Sequence, residues 1–238
     1  MDTPATDNSP GHAPTSDGAP LISGVDLCRS FEMGDAVVEV LRDVSLDVGV
    51  GEKLFLCGAS GAGKTTLLYT LAGLERPVSG EVIFDGESLY RAPKNRQAAV
   101  RNRRMGYIFQ NYFLMPELTA LENVLLPAFM GASDRETRAR EILGHLGLGE
   151  RLGHRPSELS GGEQQRVAIA RSLINDPDVI FADEPTGNLD SKTGAGVMDA
   201  LIALVDEKKK SLIVVTHDTK LATLGDRTLE LADGRLVA

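Results

Sequence analysis

The stretch "GASGAGKT", Gly58 to Thr65, constrains the fold more than any other part of the chain. It matches G-x-x-x-x-G-K-[ST] and stands between an apolar strand-like run, "EKLFLCG", and a helical one, "KTTLLYTLAGL". A loop of this kind wraps backbone N–H groups around phosphate oxygens. It needs glycines for close approach and feeds into a helix N-terminus whose dipole favours anions. Gly58, Ala59, Ser60, Gly61, Ala62 and Gly63 are the expected cradle, with the helix starting through Lys64, Thr65 and Thr66. Lys64 can reach the β- and γ-phosphates, and the Thr65 hydroxyl can ligate Mg²⁺. Strand, phosphate loop and helix in that order require an α/β fold.

The rest of the chain supplies partners for that first strand. The runs "VIFA" and "LIVV" lack alternation, which suits parallel strands buried on both faces. "RMGYIFQ" reads as a further short strand. "GEQQRVAIARSLI" and "GAGVMDALIALVDEKKK" read as helices, and "RTLELADGRLVA" as a terminal strand pair. Between Leu21 and the phosphate loop, "ISGVDLCRSF" and "VVEVLRDVSLDV" read as strands separated by Gly and acidic turns, followed later by "GEVIFDG". Residues 112–158 change to helical patterns, "ALENVLLPAFM" and "SDRETRAREILGHLGL", with Ser and Asp as caps for the second. The expectation is a mainly parallel α/β core, an antiparallel β annex and an inserted helical subdomain. Its bounds are 21–110 and 161–238 for core plus annex, and 111–160 for the insert. Residues 1–20, "MDTPATDNSPGHAPTSDGAP", bury too little to order themselves and are expected to be a disordered tail.

Composition narrows the function classes. A net charge of −9 over 238 residues argues against nucleic acid as a partner. No apolar run approaches the roughly 20 residues that span a bilayer, so membrane contact is expected only through other proteins. The N-terminus lacks the pattern of a secretory signal. Cys28 and Cys57 lie in apolar strands and are expected to be buried, reduced thiols of a cytoplasmic protein.

Three strand ends carry candidate chemistry. "VIFADE" presents Asp183 and Glu184 in succession, pointing different ways, so the first can hold Mg²⁺ through water and the second can act as general base. "IVVTHD" presents His217, a candidate partner of a γ-phosphate or an attacking water. Gln110, ending "YIFQ", can touch both Mg²⁺ and water at the hinge into the insert. A second glycine site, "LSGGEQQR" at 159–166, also precedes a helix and so also has the build of an anion site.

In this order and spacing, the residues resemble the ATP-binding subunits of ABC transporters from Leu21 to the C-terminus. The resemblance implies a P-loop NTPase (RecA-like) core that binds ATP with Mg²⁺ and hydrolyses it. It implies a Walker B strand at 179–184, a glutamine loop at Gln110, and an adenine-stacking aromatic at Phe31. "LSGGEQQR" is similar to the family signature, in which Ser160, Gly161, Gly162 and Glu163 would act on the ATP of a second subunit. Asp190 in "NLD" would communicate across that head-to-tail homodimer. Hydrolysis would then need two chains, each covering one face of each nucleotide. Replacing Gly162 with Asp is expected to spare ATP binding by the lone subunit and to abolish closure. "GYIFQNYFLMPELTALENVLLP" and "DEPTGNLDSKTG" resemble the group of lipoprotein-release, macrolide-export and cell-division ATPases, and "MPELTALENV" most resembles the first. That group implies transmembrane permease partners docking on the helical insert and a peripheral place on the cytoplasmic face of the membrane. Efflux and cell division are the alternatives to lipoprotein release.

Overall fold

The computed structural model describes residues 18–34, 36–129 and 135–237, so most of the N-terminal tail lies outside the described residues. Strand β1 (Ile22–Met33) pairs antiparallel with β2 (Ala36–Val48). The next strand, β3 (Lys53–Cys57), leaves this hairpin and leads through the glycine loop into helix α1 (Lys64–Leu71). Strands β4 (Ser79–Phe84) and β5 (Glu87–Ser88) return to the hairpin, giving an antiparallel annex in the order β2-β1-β4-β5.

The segment after β5, to which hydrophobic periodicity assigns nothing, is helix α2 (Lys94–Arg104). Its residues are nearly all polar and only Gln97 is buried, so no apolar stripe marks it. Arg101, Arg103 and Arg104 fill its last turn, where cations suit the helix dipole. Strand β6 (Met105–Ile108) follows, and then α3 (Ala120–Phe129), α4 (Glu136–His145) and α5 (Gly161–Leu173). The Ser and Asp expected to cap α4 fall at 133 and 134, outside the described residues, and Arg135 stands at its N-cap with its guanidinium donating to the Ile174 carbonyl at 3.4 Å.

Strand β7 (Val179–Asp183), helix α6 (Ser191–Glu207) and strand β8 (Ser211–Val215) complete the core. The four-residue helix α7 (Thr219–Ala222) and the pair β9 (Arg227–Ala232) and β10 (Arg235–Val237) close the chain. The second sheet runs β10-β9-β3-β8-β7-β6, parallel from β9 to β6 with only β10 antiparallel.

Alternate residues of the buried strands divide between two apolar cores. Leu54, Leu56, Phe181, Ile213 and Val215 face the annex together with Leu67, Leu68 and Leu71 of α1. Phe55, Ile180, Ala182, Leu212 and Val214 face the other way, into a cluster with α5 and α6 that runs on into α3 and α4. Each fully buried Leu, Ile or Val contributes about 2 kcal/mol relative to exposure. Cys28 and Cys57 are free but only partly buried, Cys57 at the edge of the core that includes α5 and α6. The Cys28 sulfur accepts the Asp43 N–H at 3.3 Å.

One buried polar residue ties the helical segment together. Asn123, fully buried on α3, donates to the carbonyls of Met115, Leu118 and Thr119 and accepts the Met115 N–H at 2.8 Å. Asn123→Ala would strand that N–H and those carbonyls. It is expected to destabilise the chain by about 2 kcal/mol, read as a lower urea midpoint with unchanged slope.

Candidate functional site

The loop after β3 is gripped by backbone on two sides. A Cβ on Gly58 (φ 141°) would lie 2.1 Å from the Leu231 carbonyl oxygen, and one on Gly63 (φ 102°) would lie 2.7 Å from that of Val40. Both positions therefore require glycine. Gly63 is the N-cap of α1 and offers no side chain, and the first bond of the helix runs from Leu67 N–H to the Gly63 carbonyl. The N–H groups of Lys64, Thr65 and Thr66 precede that bond and are open to an anion. Ala59, Ser60 and Gly61 form the exposed lip of the loop. Ala62 is tied down by the β9–β10 turn, whose Gly234 donates to its carbonyl.

Lys64 is 6% exposed and folds back to donate to the carbonyls of Gly58 and Ala59, both at 2.8 Å. An ammonium has three hydrogens, so one remains for a phosphate oxygen. The Thr65 hydroxyl donates to Asp183 Oδ1 at 3.0 Å, which brings two hard oxygen donors together across 118 residues of sequence. Burial raises the Asp183 carboxyl above its ordinary value, against hydrogen bonds from Thr65 and Tyr69 that pull it down. Tyr69, one turn beyond Thr65, donates to Asp183 Oδ2 at 3.0 Å. Sequence reasoning passed over it, although the four-residue spacing from Thr65 on a helix was the available signal.

Glu184 turns away from Asp183 with a left-handed backbone (φ 43°), and its Oε1 lies 3.1 Å from His217 Nδ1. A carboxylate only accepts, so Nδ1 carries the proton and Nε2 is left for another partner. A Cβ on Gly187 would lie 2.9 Å from Gln110 Nε2 and 3.1 Å from Glu184 Oε2. These two side chains therefore close over the same bare backbone, and Gln110, Glu184 and His217 form one group. Asn188 reinforces it by donating to the Gln110 carbonyl at 2.9 Å.

Phe31 lies across the β1–β2 hairpin from Val38, two residues before the Val40 that touches Gly63. The Arg29 guanidinium sits over its ring, 4.4 Å from the centroid.

The second glycine site is organised differently. Ser160 caps α5 in a reciprocal box: its N–H and hydroxyl both donate to Glu163 Oε2 at 2.8 Å, while its oxygen accepts the Glu163 N–H at 3.3 Å. Gly161 has modest room, with Leu189 and the Tyr112 hydroxyl 3.3 Å from a Cβ. Gly162 is buried, and a Cβ there would meet the Thr193 methyl at 2.5 Å. The side chain of Gly162→Asp would thus strike its own α6, so this substitution does not isolate a contact with a second subunit. Asp190 caps α6 by accepting the N–H groups of Lys192 and Thr193, both at 3.1 Å, and bonding from the Thr193 side chain and N–H, with a smaller part from Lys192, lowers its carboxyl below the ordinary value. Gln165, also unremarked in the sequence, is fully buried and donates to the Pro185 carbonyl at 2.6 Å.

Residues 41–187 match the family model described as ABC transporter. The chain belongs to the ABC transporter family. It is 47% identical to the lipoprotein-releasing system ATP-binding protein LolD of Syntrophotalea carbinolica, across 93% of this chain and 99% of that one. The LolD of Shewanella oneidensis is 48% identical over 88% and 93% of the two chains. An uncharacterized ABC transporter ATP-binding protein of Thermotoga maritima is 49% identical over 89% and 92%. Among solved structures, the dimeric structure of MJ0796, a bacterial ABC transporter cassette, superposes with a TM-score of 0.85 at 39% identity, covering 91% of this chain and 97% of that one. A post-hydrolysis dimer of MJ0796 bound to ADP and Pi superposes with a TM-score of 0.84 at 38% identity over the same shares. The fold is therefore that of an ABC ATP-binding cassette, and no helix among the described residues is long and apolar enough to cross a membrane.

The capping box makes this family member acid-sensitive at α5. Bonds from the Ser160 N–H, the Ser160 hydroxyl and Arg151 hold the Glu163 carboxyl at about 2, against an ordinary 4.5. A depressed folded-state value means that the stabilisation is complete above about 4.5 and is lost as pH falls through about 2. Glu163→Ala is expected to cost about 1 kcal/mol at neutral pH, the usual worth of a cap. That deficit should shrink between those two pH values in urea titrations.

Proposed function

We propose that this chain is the ATP-hydrolysing subunit of a transporter that releases lipoproteins from a membrane, working as a head-to-tail dimer on a separate transmembrane partner. The observation that carries the hydrolytic reading is the group Glu184, His217 and Gln110, which stands at the strand ends beside the open N-terminus of α1. The substrate reading rests on the LolD relatives, which match nearly the whole length of this chain.

The loop from Gly58 to Thr66 binds the phosphates through its N–H groups and Lys64, and the Phe31 ring stacks the base. The residues present fit a magnesium ion. Thr65 and Asp183 offer oxygen donors already 3.0 Å apart, and Gln110 follows β6, the strand next to β7, with its side chain beside Gly187 and Glu184. Thr65 and Gln110, with Asp183 through a water, would hold the ion, which when bound would supply neutralisation of charge on the phosphates. Glu184 accepts a proton from the attacking water, and His217, oriented by Glu184 through Nδ1, turns Nε2 toward that water as an acceptor.

Ser160 and Gly161, on α5, cover the nucleotide of the second chain, and Asp190 lies along the same interface. The support for a dimer is the pair of dimeric neighbours and the placing of the signature. Tyr112, Leu189 and Thr193 lie beside its two glycines, and Arg151 binds its Glu163. The transmembrane partner docks in a groove of about 360 Å³ between the core and α3, bordered by Leu74, Tyr107, Phe109, Phe113 and Pro127. Exposed apolar side chains there, Phe113 above all at 58%, suit the apolar face of a short helix. Arg171 of α5 donates to the carbonyls of Tyr112 and Phe113, so the groove wall moves with the signature helix.

Glu184→Gln is expected to bind ATP and accumulate as a dimer in gel filtration. Its turnover should fall on the order of 100-fold or more. Turnover near the wild-type rate would remove Glu184 as the base.

A further inference from the structure

We propose that Tyr69 is a positioning residue for the metal site, its phenol fixing the carboxylate of Asp183 so that one oxygen always faces the ion. This inference rests on the magnesium reading above. Asp183 is 7% exposed at the end of β7, and each of its oxygens takes one hydroxyl: Oδ1 from Thr65 and Oδ2 from Tyr69, both at 3.0 Å. The two donors are four residues apart on α1, so they stand one above the other on a single helix face.

They are not equivalent. Thr65 is exposed at the mouth of the loop and its hydroxyl has a second task as a direct metal ligand. Once it turns to the ion, Oδ1 is free to hold a metal-bound water. The phenol of Tyr69 is then the remaining side-chain donor to this carboxylate. The torsion that turns an aspartate carboxylate is soft and roughly twofold, so without a fixed donor on Oδ2 the group can rotate out of line.

The phenol is held in place from behind. The Phe109 ring meets that of Tyr69 edge-on, with centroids 6.2 Å apart and planes at 77°, and Phe109 in turn stacks on Tyr107 at 6.2 Å. Tyr107 stacks on Phe181, two residues before Asp183 on the same strand. The ring that aims the hydroxyl and the strand that carries the carboxylate therefore share one aromatic column. A merely structural bond would satisfy a buried carboxylate wherever it pointed. This one lies on the oxygen away from the expected ion, which is where an orienting bond belongs.

Tyr69→Phe removes only the hydroxyl and keeps the ring on Phe109. The test titrates Mn²⁺ into the full-length chain saturated with ADP, counting free ion by electron paramagnetic resonance. ADP affinity in EDTA is measured alongside. Mn²⁺ affinity is expected to fall about 10-fold in the variant, as for other residues that orient a metal ligand, with ADP affinity in EDTA unchanged. Equal losses in both measurements would overturn the proposal by making the hydroxyl a support of the phosphate loop. Unchanged Mn²⁺ affinity would overturn it outright. Wild-type protein that binds ADP but gains no Mn²⁺ site would refute the magnesium reading itself, which separates the two failures.

Discussion

Leu56, Val215 and Asp183 stand at one level of the core sheet, because β3 and β7 both pair in parallel with β8 in matching register. Ile108 joins one step away through its pairing with Ala182. Everything chemical in the chain hangs from that alignment. Parallel strands end on the same edge, so the phosphate loop, Asp183 with Glu184, His217 and Gln110 emerge together although they are spread over more than half the sequence. A slip of one residue in any pair would turn every side chain of that strand to the opposite face. Two apolar cores, one on each face, make such a slip costly, since Phe55 and Phe181 would each exchange sides.

Helices α1, α5 and α6 begin near this edge, and their first turns differ in a way that sorts their tasks. At α1 the cap is a glycine in a left-handed conformation, so its N–H groups remain available. By contrast α5 and α6 are closed by Ser160 with Glu163 and by Asp190. An anion meets bare donors at α1, whereas at α5 the hydroxyl of Ser160 must first be shared with, or taken from, Glu163. That difference suits a primary site that binds tightly and a secondary one that engages only when a second chain presents a phosphate.

The core was legible in the sequence because its signals are local. The glycine loop, the unbroken apolar runs "VIFA" and "LIVV" and the residues that end them lie within a few positions of each other. Helix α2 was not legible, since a helix with an almost wholly polar surface leaves no periodic stripe. The roles of Tyr69 and Gln165 were hidden for another reason. Each makes its decisive bond to a residue far along the chain, Asp183 or Pro185, and neither contact follows from spacing alone. Gly162 shows the same limit from the other side. Its place in a glycine pair suggested a face turned outward, but Thr193 of α6 occupies the space beside it.

The bond from Gln165 to the Pro185 carbonyl carries a consequence for the assembled pair. Gln165 lies in the first turns of the signature helix, and Pro185 directly follows Glu184. In the head-to-tail dimer proposed above, these two neighbours would serve different nucleotides, one through the signature and the other through the base. A single side chain thus acts as a crossbar inside each subunit. Under the proposed function, a signature drawn inward at one nucleotide would pull the base at the other in the same stroke. Two such crossbars, one per chain, would make the pair of sites fire as a coupled engine rather than as two separate hydrolases.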